Sequence, residues 1–134
     1  MPAIRLPLLL AAALLAATPA GTASASEGGG GALHLVEFTA LVVPIIEGDR
    51  MSGRLRVKLM LNAADAAAAE RITLALPALR ERGLAAVSEY ARLYASPFVP
   101  VDAARLAAEI GDGLRASEPA IGKVLLVEVA ATPT

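Results

Sequence analysis

The stretch "RLRVKLMLNAADAAAAERI", Arg54 to Ile72, decides how the chain is read, because its hydrophobic period changes halfway along. From Arg54 to Leu61 the alternation is strict. Leu55, Val57, Leu59 and Leu61 share one face, and Arg54, Arg56, Lys58 and Met60 share the other, which predicts a strand with one buried and one wet face. From Asn62 onward the period becomes helical. Asn62 or Asp65 is placed to cap the helix, and Ile72, Leu76, Leu79, Gly83, Val87, Tyr90 and Tyr94 recur on one stripe. Glu70, Arg71, Glu81, Arg82, Glu89 and Arg92 fall largely on the opposite side. The expected helix runs from about Asp65 to Leu93.

Pro77 lies in the middle of that helix. It removes a backbone donor and crowds the carbonyl of Thr73, at a usual cost of about 3 kcal/mol. A long helix on a small twisted sheet has to bend to stay in contact with it, so the expectation is a kink near Thr73 to Pro77, with Gly83 softening the same helix.

Upstream, "LHLVEFTALVV" is rich in β-branched and aromatic residues and predicts a first strand from Leu33 to Val43. Its inner face is expected to carry Val36, Phe38, Ala40 and Val42. Pro44 is expected to break it, and "EGDRMSG", Glu47 to Gly53, to form the turn of an antiparallel hairpin. Downstream, "ASPFVP" ends the long helix. A shorter helix follows, capped by Asp102 and facing the core with Leu106, Ala107, Ile110 and Leu114. After "SEPAIG", the segment Lys123 to Val129 reads as a last strand with Leu125, Val127 and Val129 on one face. The order is strand, strand, long helix, short helix, strand. The fold class is therefore α+β: a two-layer sandwich with an antiparallel sheet of about three strands and the long helix laid across it.

The first 25 residues have a different character. Arg5 is the only charge before Glu27, an apolar run extends from Leu6 to Ala17, and Ala23, Ser24 and Ala25 offer an A-x-A site. This is the layout of a signal peptide cleaved after Ala25, and a membrane anchor is the alternative. The apolar core is shorter than the roughly 20 residues of a spanning helix and is flanked by Pro7 and Pro19. Residues 26–32, with four consecutive glycines, form a flexible linker, and residues 33–131 form the domain. The compartment implied is the periplasm, with tethering to the inner membrane if the leader is retained.

Composition removes several function classes. The chain of 134 residues has no cysteine, so it forms neither disulfides nor thiolate metal sites. Its 12 basic and 13 acidic residues argue against nucleic-acid binding, and 3% aromatic content argues against a stacking platform. His34 is the only histidine. No His, Asp and Glu cluster has metal-ligand spacing, and no nucleophile elbow accompanies His34. The acid pairs Glu81 with Glu89 and Glu109 with Asp112 are best explained as exposed helix faces. No catalytic residue, metal site or cofactor is expected, and the chain reads as a non-enzyme. The densest basic group is Arg50, Arg54, Arg56 and Lys58. It reads as a solvated sheet face that resists edge pairing, or as a partner surface for an acidic protein or anionic lipid.

Taken in order, these segments resemble the periplasmic domain of the FliL family of flagellar basal body-associated proteins. "RLRVKLML" is similar to the family's alternating strand and "NAADAAAAERI" to the start of its long helix. "LPALRERGLAAV" resembles the helix centre, where a proline precedes an apolar residue, an arginine and further apolar helix. "DAARLAAEIGDGL" resembles the second helix, and "IGKVLLVEVA" the closing strand. The likeness covers about Leu33 to Ala131. It implies a stomatin-like (SPFH) domain without enzymatic activity, held near the inner membrane by an N-terminal helix. It also implies association with stator or basal-body components in motility and chemotaxis, and homo-oligomers such as rings. The other reading of the same residues is a secreted periplasmic binding module for a small ligand or peptide, unrelated to flagella.

Overall fold

The computed structural model describes residues 33–134; the expected leader, cleavage site and glycine linker lie outside the described residues. Three strands and two helices follow one another as β1 (His34–Glu47), β2 (Arg50–Ala63), α1 (Ala66–Tyr94), α2 (Ala103–Ser117) and β3 (Ile121–Pro133). The strands form one antiparallel sheet in the order β1-β2-β3. Both helices cover the same face of it, so the α+β sandwich expected from the sequence is the observed architecture. The coverage is divided: α1 packs mainly on β1, and α2 packs on β3 and on α1. The long helix lies against β1 and, less extensively, β2, and the short helix completes the layer over β3.

The central strand β2 is as its alternation dictates. Leu55, Val57, Leu59 and Leu61 are buried, while Arg54 and Arg56 are exposed and Lys58 and Met60 half-buried. Its neighbours each depart from simple alternation. In β1, Phe38 opposes Leu59 and Leu41 opposes Val57, so β1 carries one extra residue between them. A bulge of this kind reverses which side chains point inward. Val36 and Phe38 are buried before it, and Leu41, Val43 and Ile45 after it, whereas Val42 is 48% exposed. The expected inward positions of Ala40 and Val42 are thus corrected. The bulge turns three large side chains inward where unbroken alternation would have offered Ala40, Val42 and Pro44.

Pro44 does not end the strand. It pairs with Arg54, and β1 continues to Glu47. β1 is an edge strand, where one row of backbone groups has no ladder partner, so a residue without an N–H is tolerated. The turn is correspondingly short: Glu47 pairs with Arg50 across Gly48 and Asp49. Gly48 has φ 66° and Asp49 has no positive φ, the pattern of a type II′ turn with glycine first. The remainder of the expected turn, Arg50 to Gly53, belongs to β2, with a second bulge at Ser52 whose hydroxyl donates to the Ile45 carbonyl at 3.3 Å.

β3 is longer than the expected Lys123 to Val129 and is also bulged. Lys58 opposes Glu128 and Leu59 opposes Leu126, leaving Val127 as the extra residue. Val124, Leu126, Val129 and Ala131 therefore pack against the core, and Leu125 and Val127 lie on the outer face, 39% and 57% exposed. The expected shared face of Leu125, Val127 and Val129 is corrected for the same reason as in β1.

α1 is capped by Asp65, whose Oδ1 accepts from the Ala68 N–H at 2.7 Å. It is unbroken across Pro77. Pro77 is exposed, so the Thr73 carbonyl it leaves without a helical donor faces the side of the helix that meets water. The Thr73 hydroxyl donates back to the Ala69 carbonyl at 2.8 Å, a second feature of the kind that bends helices. Ala68, Ile72, Leu79, Gly83, Val87 and Tyr90 form the buried stripe. Tyr94, expected on that stripe, is 46% exposed. Gly83 marks the closest approach of helix and sheet: a Cβ there would lie 3.2 Å from Leu41 Cδ1 and 3.3 Å from Phe38 Cζ, the two residues that flank the β1 bulge.

The corner between the helices is tied by Tyr90. Its hydroxyl accepts from the Asp102 N–H at 3.1 Å and donates to the Asp102 carbonyl at 3.4 Å, while the Asp102 carboxylate caps α2 by accepting from the Arg105 N–H at 3.0 Å. Burial holds the Tyr90 phenol above its ordinary pKa, against the opposing effect of its hydrogen bond to the Asp102 backbone. All the buried side chains of the core are apolar or, at Tyr90, partnered; no other polar residue among the described residues is buried.

Two outcomes follow from this packing. Gly83→Val is expected to overpack the bulge and lower unfolding free energy by about 1–3 kcal/mol in denaturant titration, although valine is no worse than glycine as a helix former. Tyr90→Phe is expected to cost about 1 kcal/mol. Because the native phenol titrates above the unfolded one, wild-type stability is intact below about pH 10 and falls as pH rises through the native pKa; the phenylalanine variant should lack that alkaline loss.

Candidate functional site

The helices leave the other face of the sheet uncovered, and the basic strand residues lie there. Arg54, Arg56 and Lys58 share its centre line, because they alternate with the buried leucines of β2. Val42 stands opposite Arg56 and Pro44 opposite Arg54 on β1; on β3, Ala130 and Thr132 stand opposite the same two arginines. Leu35, Val42 and Ile46 on one edge and Leu125 and Val127 on the other are all at least 39% exposed. The outcome is a broad face with a basic centre line and apolar flanks.

Arg50 does not join this group. The bulge at Ser52 takes it out of step with Arg54, and it sits beside the turn opposite Glu47. The charge on the face is also partly matched. Arg56 Nε donates to Glu128 Oε1 at 3.1 Å, with both side chains half exposed, and Glu128 stands opposite Lys58 in the ladder. Glu37 and Thr39 border a shallow depression with Arg56 and Lys58 beside the β1 bulge. Arg54 has no acidic residue opposite it on either strand.

The other candidate residues are dispersed. His34 begins β1 and pairs with Ala63, at the far end of the sheet from the hairpin turn. Glu81 and Glu89 are exposed on α1, and Glu89 is bound to Arg92 at 2.6 Å, a hydrogen bond that holds its carboxyl below the usual range. Asp112 is within 3.4 Å of Arg115 one turn along α2, and Arg115 also donates to the Gly122 carbonyl at 2.7 Å. Among the described residues, no three His, Asp or Glu side chains are grouped as metal ligands, and no helix is long and apolar enough to cross a membrane.

One surface is not apparent from hydrophobic periodicity. The α1–α2 connection exposes Phe98 (76%) and Val99 (58%) between Pro97 and Pro100, and Arg105 stacks over the Tyr94 ring at 4.4 Å nearby in sequence. Its signal lies in composition: residues 95–101 contain no charge, and a loop that bears two prolines, a phenylalanine and two valines is not one built for solvation. The same prolines end α1, and that role alone masks the other.

The Arg56 and Glu128 pair is expected to add less than about 1 kcal/mol to stability, as solvent-exposed pairs do. Removing it by Glu128→Gln should leave the denaturation midpoint nearly unchanged at about 0.15 M salt while making the face more basic. Comparison of the chain with family models, with curated proteins and with solved structures gives no match.

Proposed function

We propose that this chain is a non-enzymatic assembly protein of the bacterial envelope, similar in role to FliL, which acts from the periplasm close to the inner membrane. The observation that carries this reading is the order of elements around an uncovered sheet face. Two strands, a long proline-bearing helix, a short helix and a closing strand follow in the order the resemblance implies, and the helices leave Arg54, Arg56 and Lys58 displayed on the opposite face of the sheet. The stomatin-like character of the domain and its action at the stator or basal body are parts of the same proposal.

On this reading the basic centre line of β2 meets an acidic protein surface. Charges of this kind steer encounter and fix orientation more than they add affinity, and the exposed apolar flanks supply the desolvated contact. Arg54 is the residue with most to offer a partner, since no cross-strand acid offsets it.

The test is a triple charge reversal, Arg54→Glu, Arg56→Glu and Lys58→Glu, introduced at the chromosomal locus. We expect the protein to remain folded, because all three side chains reach solvent, and to lose co-purification with stator and basal-body proteins together with a measurable fraction of swimming speed. Unchanged motility in the deletion strain, with no stator or basal-body protein co-purifying with the wild-type chain, would refute a role at the flagellum.

A further inference from the structure

A second surface of the domain has the parts of a strand-docking groove. On one side is the free edge of β3. From Val129 to Pro133 it pairs with β2 in five consecutive residues, from Val57 to Gly53, without a bulge. Among the described residues β3 has no neighbour on its other side, so the backbone N–H and C=O groups that point away from β2 have no ladder partner along this regular stretch. On the other side stands the wall Pro97 to Val101, which with Val129 to Ala131 borders a shallow, open groove of about 550 Å³. None of the residues lining it is charged.

The wall is set in place. Pro97 and Pro100 fix two of its backbone φ angles. Ser96 Oγ accepts from the Phe98 N–H at 3.3 Å, and the Ser96 carbonyl accepts from the Val99 N–H at 3.4 Å. Pro97 rests over Gly53, the residue of β2 that pairs with Pro133. The Phe98 and Val99 side chains are therefore held out beside the strand edge with most of their surface in water.

We propose that this groove binds a short extended peptide segment of a partner protein, which adds to β3 as a fourth strand. The free edge supplies main-chain hydrogen bonds, and the wall supplies apolar contact to alternate side chains. The chemistry of the site defines the occupant. It is uncharged over about five residues, the length of regular edge available, and bears β-branched or other apolar side chains on the face toward Phe98 and Val99. A charged segment is excluded, because nothing lining the groove would replace the water lost from it. The opposite edge is less suitable: the bulge of β1 falls at its middle, whereas those of β3 lie before Val129 and its proline, Pro133, comes only at the end of the regular stretch. The inference stands apart from the flagellar reading, since it uses neither the basic face nor the leader.

The experiment uses the whole chain and, as probe, a soluble pentapeptide of alternating valine and threonine with blocked ends. Binding is read by fluorescence anisotropy of a fluorophore carried on the peptide's N-terminal block, and its place by amide hydrogen exchange. The expected result is saturable binding, with added protection confined to the amides of residues 129–132, Pro133 having none to exchange, and a loss of at least ~10-fold in affinity for Phe98→Asp and for Val99→Asp. Both side chains are exposed in the free protein, so these variants should fold; unchanged circular dichroism checks that. Leu74→Asp, on the exposed side of α1, should bind as the wild type does. No binding at millimolar peptide, protection at β1 in place of β3, or binding indifferent to Phe98→Asp and Val99→Asp would each overturn the proposal. Self-association abolished by Phe98→Asp, in the absence of peptide, would assign the groove to a second copy of the chain and overturn it also.

Discussion

The contact on which the rest of the structure depends is the one between Gly83 and the bulge of β1. Bulge and glycine are complementary. The extra residue between Phe38 and Leu41 changes the inward set of β1, and brings those two side chains to the point where α1 passes with no side chain of its own. A helix with an ordinary residue there would have to stand off from the sheet, opening space beneath the buried stripe of α1. Interiors tolerate little such space, because atoms that line a gap forfeit dispersion attraction with nothing to replace it.

That seam also orders the two faces of the sheet. Once Leu41, Val43 and Ile45 are committed to the core, Val42, Pro44 and Ile46 have to lie outside, beside Arg54 and Arg56. The apolar flank of the candidate partner surface is therefore a by-product of how the core is packed. The bulge at Val127 does the same on β3, turning Leu125 and Val127 outward. A face to which unbroken alternation would have given Leu41, Val43 and Ile45 on β1 carries Val42, Pro44 and Ile46 instead, and is basic at its centre and apolar at its margins.

What is legible in the sequence is whatever has an unbroken period. β2 is regular from Gly53 to Ala63, and both helices carry one apolar stripe and an aspartate cap, so these elements and their order can be read directly. The parity of β1 and β3 cannot, since a bulge leaves no mark in composition: "FTALVV" has apolar residues at both parities, the one unbroken apolar parity of "LLVEV" is Leu125, Val127 and Val129, which the bulge divides between two faces, and only packing against Gly83 and α2 selects the inward set. Pro44 misleads because its tolerance depends on β1 being an edge strand, a fact of sheet order that no local pattern reveals. The basic residues stand out as a group, yet Arg50 is separated from them by a bulge at Ser52 of the same silent kind. Tyr90 reads as a core residue from its spacing, and its role in tying Asp102 comes only from the geometry of the helix corner.

The central position of β2 has a consequence for how the molecule is made. β1 and β2 are joined by a two-residue turn and can pair as soon as both exist, but the other edge of β2 waits for residues 121–133, which are synthesised after both helices. Closing that pairing spans both helices, so it carries the largest loop-closure entropy in the domain and sets its contact order. Until it closes, the strand that supplies Leu55, Val57, Leu59 and Leu61 to the core has one side unpaired. A chain of this topology depends on its latest strand for protection from aggregation until synthesis is complete, and a stop anywhere before β3 leaves open what the finished fold conceals.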